Sequence, residues 1–442
     1  MKFNKKFRTA LAAATSLAIG LGAVACSRDY TVAYVFSTSA SNGTISAYGV
    51  DYQSGELTQI SGSPFAGQVG NNPVTLVAAP NQKYIYIVGG TQSSTVEEMA
   101  VGTDGKLYGL NTYNLASGDT YATSAAIDPA GKFLYVAFTY ISPYGPGNLG
   151  RGGISVFPIN SDNSLGTPST INVGNNPVAI AISPADCALT TATGTGQQTC
   201  TTTNGTTGAG FVNSFVYVVD QEGSAYGTNP AHVLGFAQNT TTGALTLLSG
   251  SSCATTGSST SCKGYASGVT PSAIAIDPTG RYVYVTDKTS NQIIGYAINL
   301  ANAGSGTTNG SLTPLVSSPF TTGLYPVAIT IDPRGKYIYT ANYNSNTVSA
   351  YAINTANGSL SGAGQAGNFT TSTGPTCVTV DPAVGIYLYT SNYLDSSISG
   401  AQLSPNTGNL TGIVNTPFPS GALPSCVISV SNGSHANSIV NP

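Results

Sequence analysis

Residues 326–360, PVAITIDPRGKYIYTANYNSNTVSAYAINTANGSL, constrain the fold more than any other stretch, because the same unit returns along the rest of the chain. The unit holds three short runs of alternating apolar residues, beginning at Val327, Tyr337 and Val348, and a fourth begins at Leu360. Each run is strand-length and rich in Val, Ile, Thr and Tyr, side chains that suit a pleated surface. Asp-Pro-Arg-Gly, an Asn-rich stretch and Asn-Gly separate the runs, which is the punctuation of tight antiparallel turns. One unit is therefore a four-stranded meander.

Counting the copies fixes the architecture. The second strand recurs at Tyr34, Tyr84, Phe133, Phe215, Tyr282, Tyr337 and Tyr387, each followed two residues later by Phe or Tyr. A G-x-L hairpin or its near-equivalent ends at Leu57, Leu107, Leu165, Leu245, Leu312, Leu360 and Leu410. Both signals give seven units. The first strand is present at Val74, Ser124, Val178, Ser272, Val327 and Thr376, but nothing before Tyr30 fills that slot in the first unit. A spare copy, LPSCVISV, follows the last complete unit near the C-terminus. The expected fold is an all-β, seven-bladed propeller of four-stranded antiparallel blades, with the C-terminal strand completing the N-terminal blade so that no edge stays open. At roughly 50 residues per blade the chain is used up, and residues 26–442 are expected to form one domain.

Residues 1–25 stand apart. Lys2, Lys5, Lys6 and Arg8 precede an Ala-rich apolar run that ends in Ala23-Val-Ala25, the layout of a secretory signal. The mature chain then begins at Cys26, and Ala-Val-Ala-Cys resembles a bacterial lipobox. An exported protein is expected, either a lipoprotein of the outer membrane or cell surface, or a periplasmic or secreted protein if Cys26 stays unmodified.

The other six cysteines point the same way. Cys187 and Cys200 bracket one Ser/Thr/Gly insertion and Cys253 and Cys262 another, each a plausible local bridge in an exported protein. Cys377 and Cys426 occupy one slot in the first strands of neighbouring blades; a bridge between them near the axis stays open, since a Cα separation beyond about 7 Å forbids it. Pairing all six leaves Cys26 alone, which fits lipidation, with a free or crosslinking thiol as the alternative. No metal-ligand spacing such as C-x-x-C is present, and no cofactor is implied.

Only 7% of residues are charged, and 26 Tyr with many Ser, Thr, Asn and Gly take up the difference. Removing the four signal cations leaves ten basic against seventeen acidic residues, a net charge of minus seven. A sparse negative charge without basic clusters excludes nucleic-acid binding and electrostatic docking to anionic lipid, so contact with a membrane is expected only through the anchor. A monomer is expected.

Departures from the repeat mark a candidate site. The loop after the second strand is long in blade three, TYISPYGPGNLGRGG, and in blade four, DQEGSAYGTNPAH; the segment leading into blade five, 249–269, is enlarged on the same rim. A fourth insertion, 185–214, joins first and second strands and belongs on the opposite face. The crowded sector carries Arg151, Asp220, Glu222, Tyr226, His232, Lys263 and Tyr265. Glu222 and His232 are the candidate acid–base pair of a hydrolase, and the other five are candidate ligand contacts. His435, the second histidine, sits in a polar tail. The Asp-Pro residues Asp128, Asp277, Asp332 and Asp381 recur at the turn between first and second strands and read as turn caps.

AIAIDPTGRYVYVTDKTSNQIIGYAIN, residues 273–299, and SLTPLVSSPF, residues 311–320, resemble the seven-bladed lactonase, or 6-phosphogluconolactonase-like, propellers and the related YVTN repeats. The resemblance covers nearly the whole mature chain and implies that fold and hydrolysis of a sugar lactone. Enzymes of that family typically place Gly-Pro-Arg-His at the start of a first strand and Asn-Glu after a second strand. Here the first strands open on Asn-Pro-Val-Ala, Thr-Pro-Ser-Ala, Tyr-Pro-Val-Ala and Gly-Pro-Thr-Cys, and Asp220, Asp287, Asn342 and Asn392 stand at the Asn-Glu place. The resulting expectation is a non-catalytic binding module at the cell envelope for a protein, a glycan or a small sugar; the alternative is a lactonase-type hydrolase with a displaced site.

Overall fold

The computed structural model describes residues 30–433 and 439, apart from 68–69, 71, 185–213, 222–230, 257–258, 301–309 and 363–367. The expected signal with Cys26, the Cys187–Cys200 bridge, Glu222, Tyr226 and His435 lie outside the described residues. Seven antiparallel sheets follow one another around a ring. Blade 6 shows the unit: Pro326–Ile331, Tyr337–Asn342, Thr347–Ile353 and Leu360–Gly362 are hydrogen-bonded in that order from the axis outward. Among the described residues there is no helix.

The ring closes as the repeat count requires. Pro424–Ser431 pairs antiparallel with Thr31–Ser39, so blade 1 takes its innermost strand from the C-terminus and its other three from the N-terminus. All seven innermost strands contact their neighbours around the axis. Ser and Thr hydroxyls tie several of them together: Thr123, Ser272, Thr376 and Ser425 donate to the carbonyls of Pro177, Pro326, Pro424 and Pro73 in the following blade. The inner strands of blades 7 and 1 are also joined by the Cys377–Cys426 disulfide, with a Cα separation of 4.9 Å. This resolves the pairing that the sequence left open.

Seven hydrophobic clusters fill the seven gaps between blades, and alternation along each second strand supplies them. Burial of a Val, Leu or Ile is worth about 1.5–3 kcal/mol, so the inter-blade layers carry most of the stabilisation. A second-strand phenol then stitches each blade to the next hairpin. Tyr86, Tyr135, Tyr217, Tyr284 and Tyr339 donate to the carbonyls of Asn163, Gly243, Gly310, Gly358 and Gly408 at 2.6–3.0 Å. The hairpin glycine is required twice over. Gly408, for example, has a φ of +73°, and a Cβ there would lie 2.3 Å from the Tyr337 ring.

Asp128, Asp277, Asp332 and Asp381 are buried and accept backbone N–H groups four to six residues ahead, as at Lys336 and Tyr337 for Asp332, both 2.7 Å. The recurring carboxylates are turn clamps. Phe65, Phe320 and Phe418 bridge to Ile45, Ile293 and Ile398 of the third strand in their own blade, extending the outer edge.

Candidate functional site

The rim bearing the enlarged loops is built around the ends of the second strands. In blade 4 that end is Asp220, directly opposite His232, the first residue of the third strand. Segment 249–269 folds into a hairpin, Ser252–Thr256 with Ser259–Lys263, clipped by the expected Cys253–Cys262 bridge. Tyr265–Ala266 then pairs beside the third strand, with Ala266 opposite His232. His232 therefore lies between two strands and is buried rather than sitting on an open loop. Its Nε2 is 4.0 Å from the Asp220 carboxylate, which is itself fully buried.

Asp220 also performs a structural task. Its oxygens accept the backbone N–H groups of Asn175 at 3.2 Å and Asn176 at 2.9 Å, and a Cβ on Gly174 would overlap the carboxylate. Asp287 repeats the arrangement in blade 5, accepting from Val269 at 2.7 Å and Thr270 at 3.0 Å. Burial pushes the Asp287 carboxyl up, but bonds from Ser290, Val269 and Thr270 outweigh it and hold the pKa below the usual carboxylate range. Each acid clamps the loop that leads into its own blade. Asn342 and Asn392 fill the same place in blades 6 and 7, donating to Thr347 and Ser349, and to Ser397 and Ser399.

The remaining sequence-selected residues gather around this frame. Gly152, next to Arg151, exchanges backbone hydrogen bonds with Gly174 and Val173, so Arg151 stands at the blade 3–4 junction beside the Asp220 clamp. Gln221 crosses to blade 5, donating to the Pro271 carbonyl. Tyr265 is fixed by donation from its hydroxyl to the Ser249 carbonyl at 2.6 Å and stacks obliquely on Tyr296. Lys263 ends the clipped hairpin and is exposed. Farther round the rim, the Lys288 ammonium lies 5.6 Å over the Tyr325 ring, which neighbours Tyr343.

One rim carboxylate escaped the sequence reading. Asp119 opens the first strand of blade 3, opposite Ile141 at the base of the long loop, and is buried. Burial pushes its pKa up to about 7, against the opposing pull of hydrogen bonds from Thr170, at 2.8 Å, and Ser155. The clue was the early start of this strand, which takes in three residues before Ala122, the counterpart of the proline that opens the other first strands. Among the described residues no cluster of three or more His, Cys, Asp or Glu is placed to hold a metal.

The family described as lactonase, 7-bladed beta-propeller, matches residues 31–179 and 225–380, more than half of the chain. No curated protein matches. Among solved structures, a Bacteroides uniformis protein assigned as a 6-phosphogluconolactonase is 17% identical, with a TM-score of 0.65 over 91% of this chain and 100% of that one. A Bacteroides fragilis protein with the same assignment is 18% identical, with a TM-score of 0.62 over 91% and 99%. A periplasmic gluconolactonase of Pseudomonas aeruginosa is 17% identical, with a TM-score of 0.61 over 90% and 99%. At these identities the likeness speaks for the fold alone.

Proposed function

Because this chain belongs to the lactonase family of seven-bladed β-propellers, we propose that it is a member which binds a saccharide on the rim of blades 3–5 without hydrolysing a lactone. One observation carries the reading: the acids that end the second strands of blades 4 and 5, Asp220 and Asp287, are each committed to backbone N–H groups of the loops they clamp. A carboxylate so held is a poor proton acceptor and a good scaffold. Arg151, Lys263 and Tyr265, together with Tyr226, supply the polar and aromatic contacts. Export fits the two disulfides and the fold shared with a periplasmic relative. In this reading residues 1–25 are removed, Cys26 carries the lipid anchor, and 26–442 form one domain. Mass spectrometry of the mature N-terminus tests the anchor: an unmodified Cys26 refutes it.

The buried His232–Asp220 pair favours a second reading, in which His232, oriented by Asp220, takes a proton from water as it attacks a lactone carbonyl, and returns it to the ring oxygen as the ester bond breaks. Glu222, two residues after Asp220 in the chain, is the candidate acid of this reading. Assays on sugar lactones with wild type, Glu222→Gln and His232→Gln decide between the two. Binding alone predicts turnover at the buffer rate in all three; turnover well above buffer that both substitutions abolish establishes the hydrolase.

A further inference from the structure

We propose a second ligand site on the opposite face, in a groove between blades 2 and 3, that takes a polyhydroxylated carboxylate of sugar-acid type. The groove has a volume of about 500 Å³ and lies among the first turn of blade 2, with Pro80 and Asn81, the first turn of blade 3, with Lys132, and the outer hairpin of blade 3, with Asn160 and Asn163. That volume falls in the range of small-molecule sites.

The groove coincides with a break in the repeat. In the other six hairpins the residue two before the conserved Leu is a glycine with positive φ, packed in the structure beneath the first aromatic of the preceding blade's second strand. Blade 3 has Asn163 there, at a φ of 71° that Asn tolerates better than most side chains. A real Cβ now stands where the neighbouring ring would pack. The ring concerned is Tyr84, and it alone of the seven first aromatics is only half-buried; Tyr34, Phe133, Phe215, Tyr282, Tyr337 and Tyr387 are all buried. At this face the blade 2–3 junction thus carries an Asn side chain and a half-buried ring where the other six carry a glycine and a buried ring.

The lining chemistry selects the ligand. Lys132 is exposed and, among the described residues, enters no salt bridge. Asn81 donates to the Asn163 side-chain oxygen at 2.9 Å, which fixes two amides at the groove, with Asn160 and Ser161 exposed beside them. Asp162 on the same hairpin accepts from the Ser164 hydroxyl at 2.6 Å and is not part of the lining, so one ammonium among amides and a hydroxyl suits a single carboxylate carried on a hydroxyl-rich chain. The site does not depend on the rim reading.

Titration of the full protein with sodium D-gluconate and D-glucuronate, followed by calorimetry or ligand-observed NMR, tests the site, with D-glucose as the uncharged comparison. The expected result is saturable binding of the two acids and at least tenfold weaker binding of glucose. Asn163→Gly, which restores the residue that six blades already use, and Lys132→Ala should each weaken the acids at least tenfold. Absence of saturable binding, equal binding of glucose, or binding unchanged in both variants would overturn the proposal.

Discussion

The Tyr389 hydroxyl donates a 2.6 Å hydrogen bond to the carbonyl of Gly55, joining residues 334 positions apart across the seam where the last blade meets the first. The corresponding phenol is lost in blade 1, where Phe36 stands, and Tyr34 bonds to the Thr103 carbonyl instead. Every junction of the ring therefore has at least one such tie, and the seam has a second, from the Tyr387 hydroxyl to the Tyr52 carbonyl at 2.7 Å. Tyr389→Phe strands a buried carbonyl, so it should cost about 1–3 kcal/mol in denaturant unfolding, with no change in fold by circular dichroism. An unchanged midpoint would show that the tie is idle.

Ring closure at the same seam is testable by truncation. Without residues 424–442 the Thr31–Ser39 strand loses its inner partner and presents a bare edge to the axis, so the shortened chain should aggregate or unfold without a sharp transition. Replacing both Cys377 and Cys426 by Ser keeps the strand and removes only the crosslink. That double variant should still fold, about 2–4 kcal/mol less stable than the oxidised protein.

The turn clamps predict a large local effect. Asp332 is fully buried, holds the N–H groups of Lys336 and Tyr337, and pairs with the Arg334 guanidinium at 2.6 Å. Asp332→Ala leaves these donors and a cation without their acceptor. A loss of about 3–5 kcal/mol is expected, read as a lowered melting temperature; a shift comparable to that of a surface alanine substitution would remove the clamp role.

Asp119 sets a pH dependence of definite sign. Its folded pKa of about 7 lies above the ordinary value of 3.8, so the native state holds a proton that the unfolded chain gives up. The contribution is most favourable below the unfolded value, falls as pH rises toward about 7, and is flat beyond. Asp119→Asn should match wild type near pH 4 and exceed it near pH 8 by up to about 4 kcal/mol. Parallel stability curves for the two proteins would refute this.

Much of the architecture was legible because a propeller repeats its instructions. The Y-x-Y second strands, the G-x-L hairpins and the orphan LPSCVISV at the C-terminus led to seven blades and a shared first blade. The turn role of Asp332 was legible for the same reason: four copies of one feature mean geometry. The rim was harder. His232 reads as a loop residue until Tyr265–Ala266 pairs beside it, and pairing between segments more than thirty residues apart leaves no local trace in the chain. Asp119 was overlooked because the start of its strand breaks the pattern, and Glu97 and Glu98, both buried in the third strand of blade 2, interrupt an apolar run with no motif to flag them. Glu98 is held by Asn111 and Tyr113, partners that only the adjacent outer strand supplies.

The pairing of Asn432 with the start of the fold has a topological consequence. Its N–H bonds to the Val32 carbonyl at 3.0 Å and its side-chain amide to Thr31 at 2.8 Å, so the two ends of the ring are adjacent. A short linker between them would make the backbone a closed circle, and an exposed loop away from the inter-blade ties, such as that at Val316 and Ser317, could then be cut to give new termini. A circular permutant should fold to the same ring, whereas an equally long deletion at the seam should not.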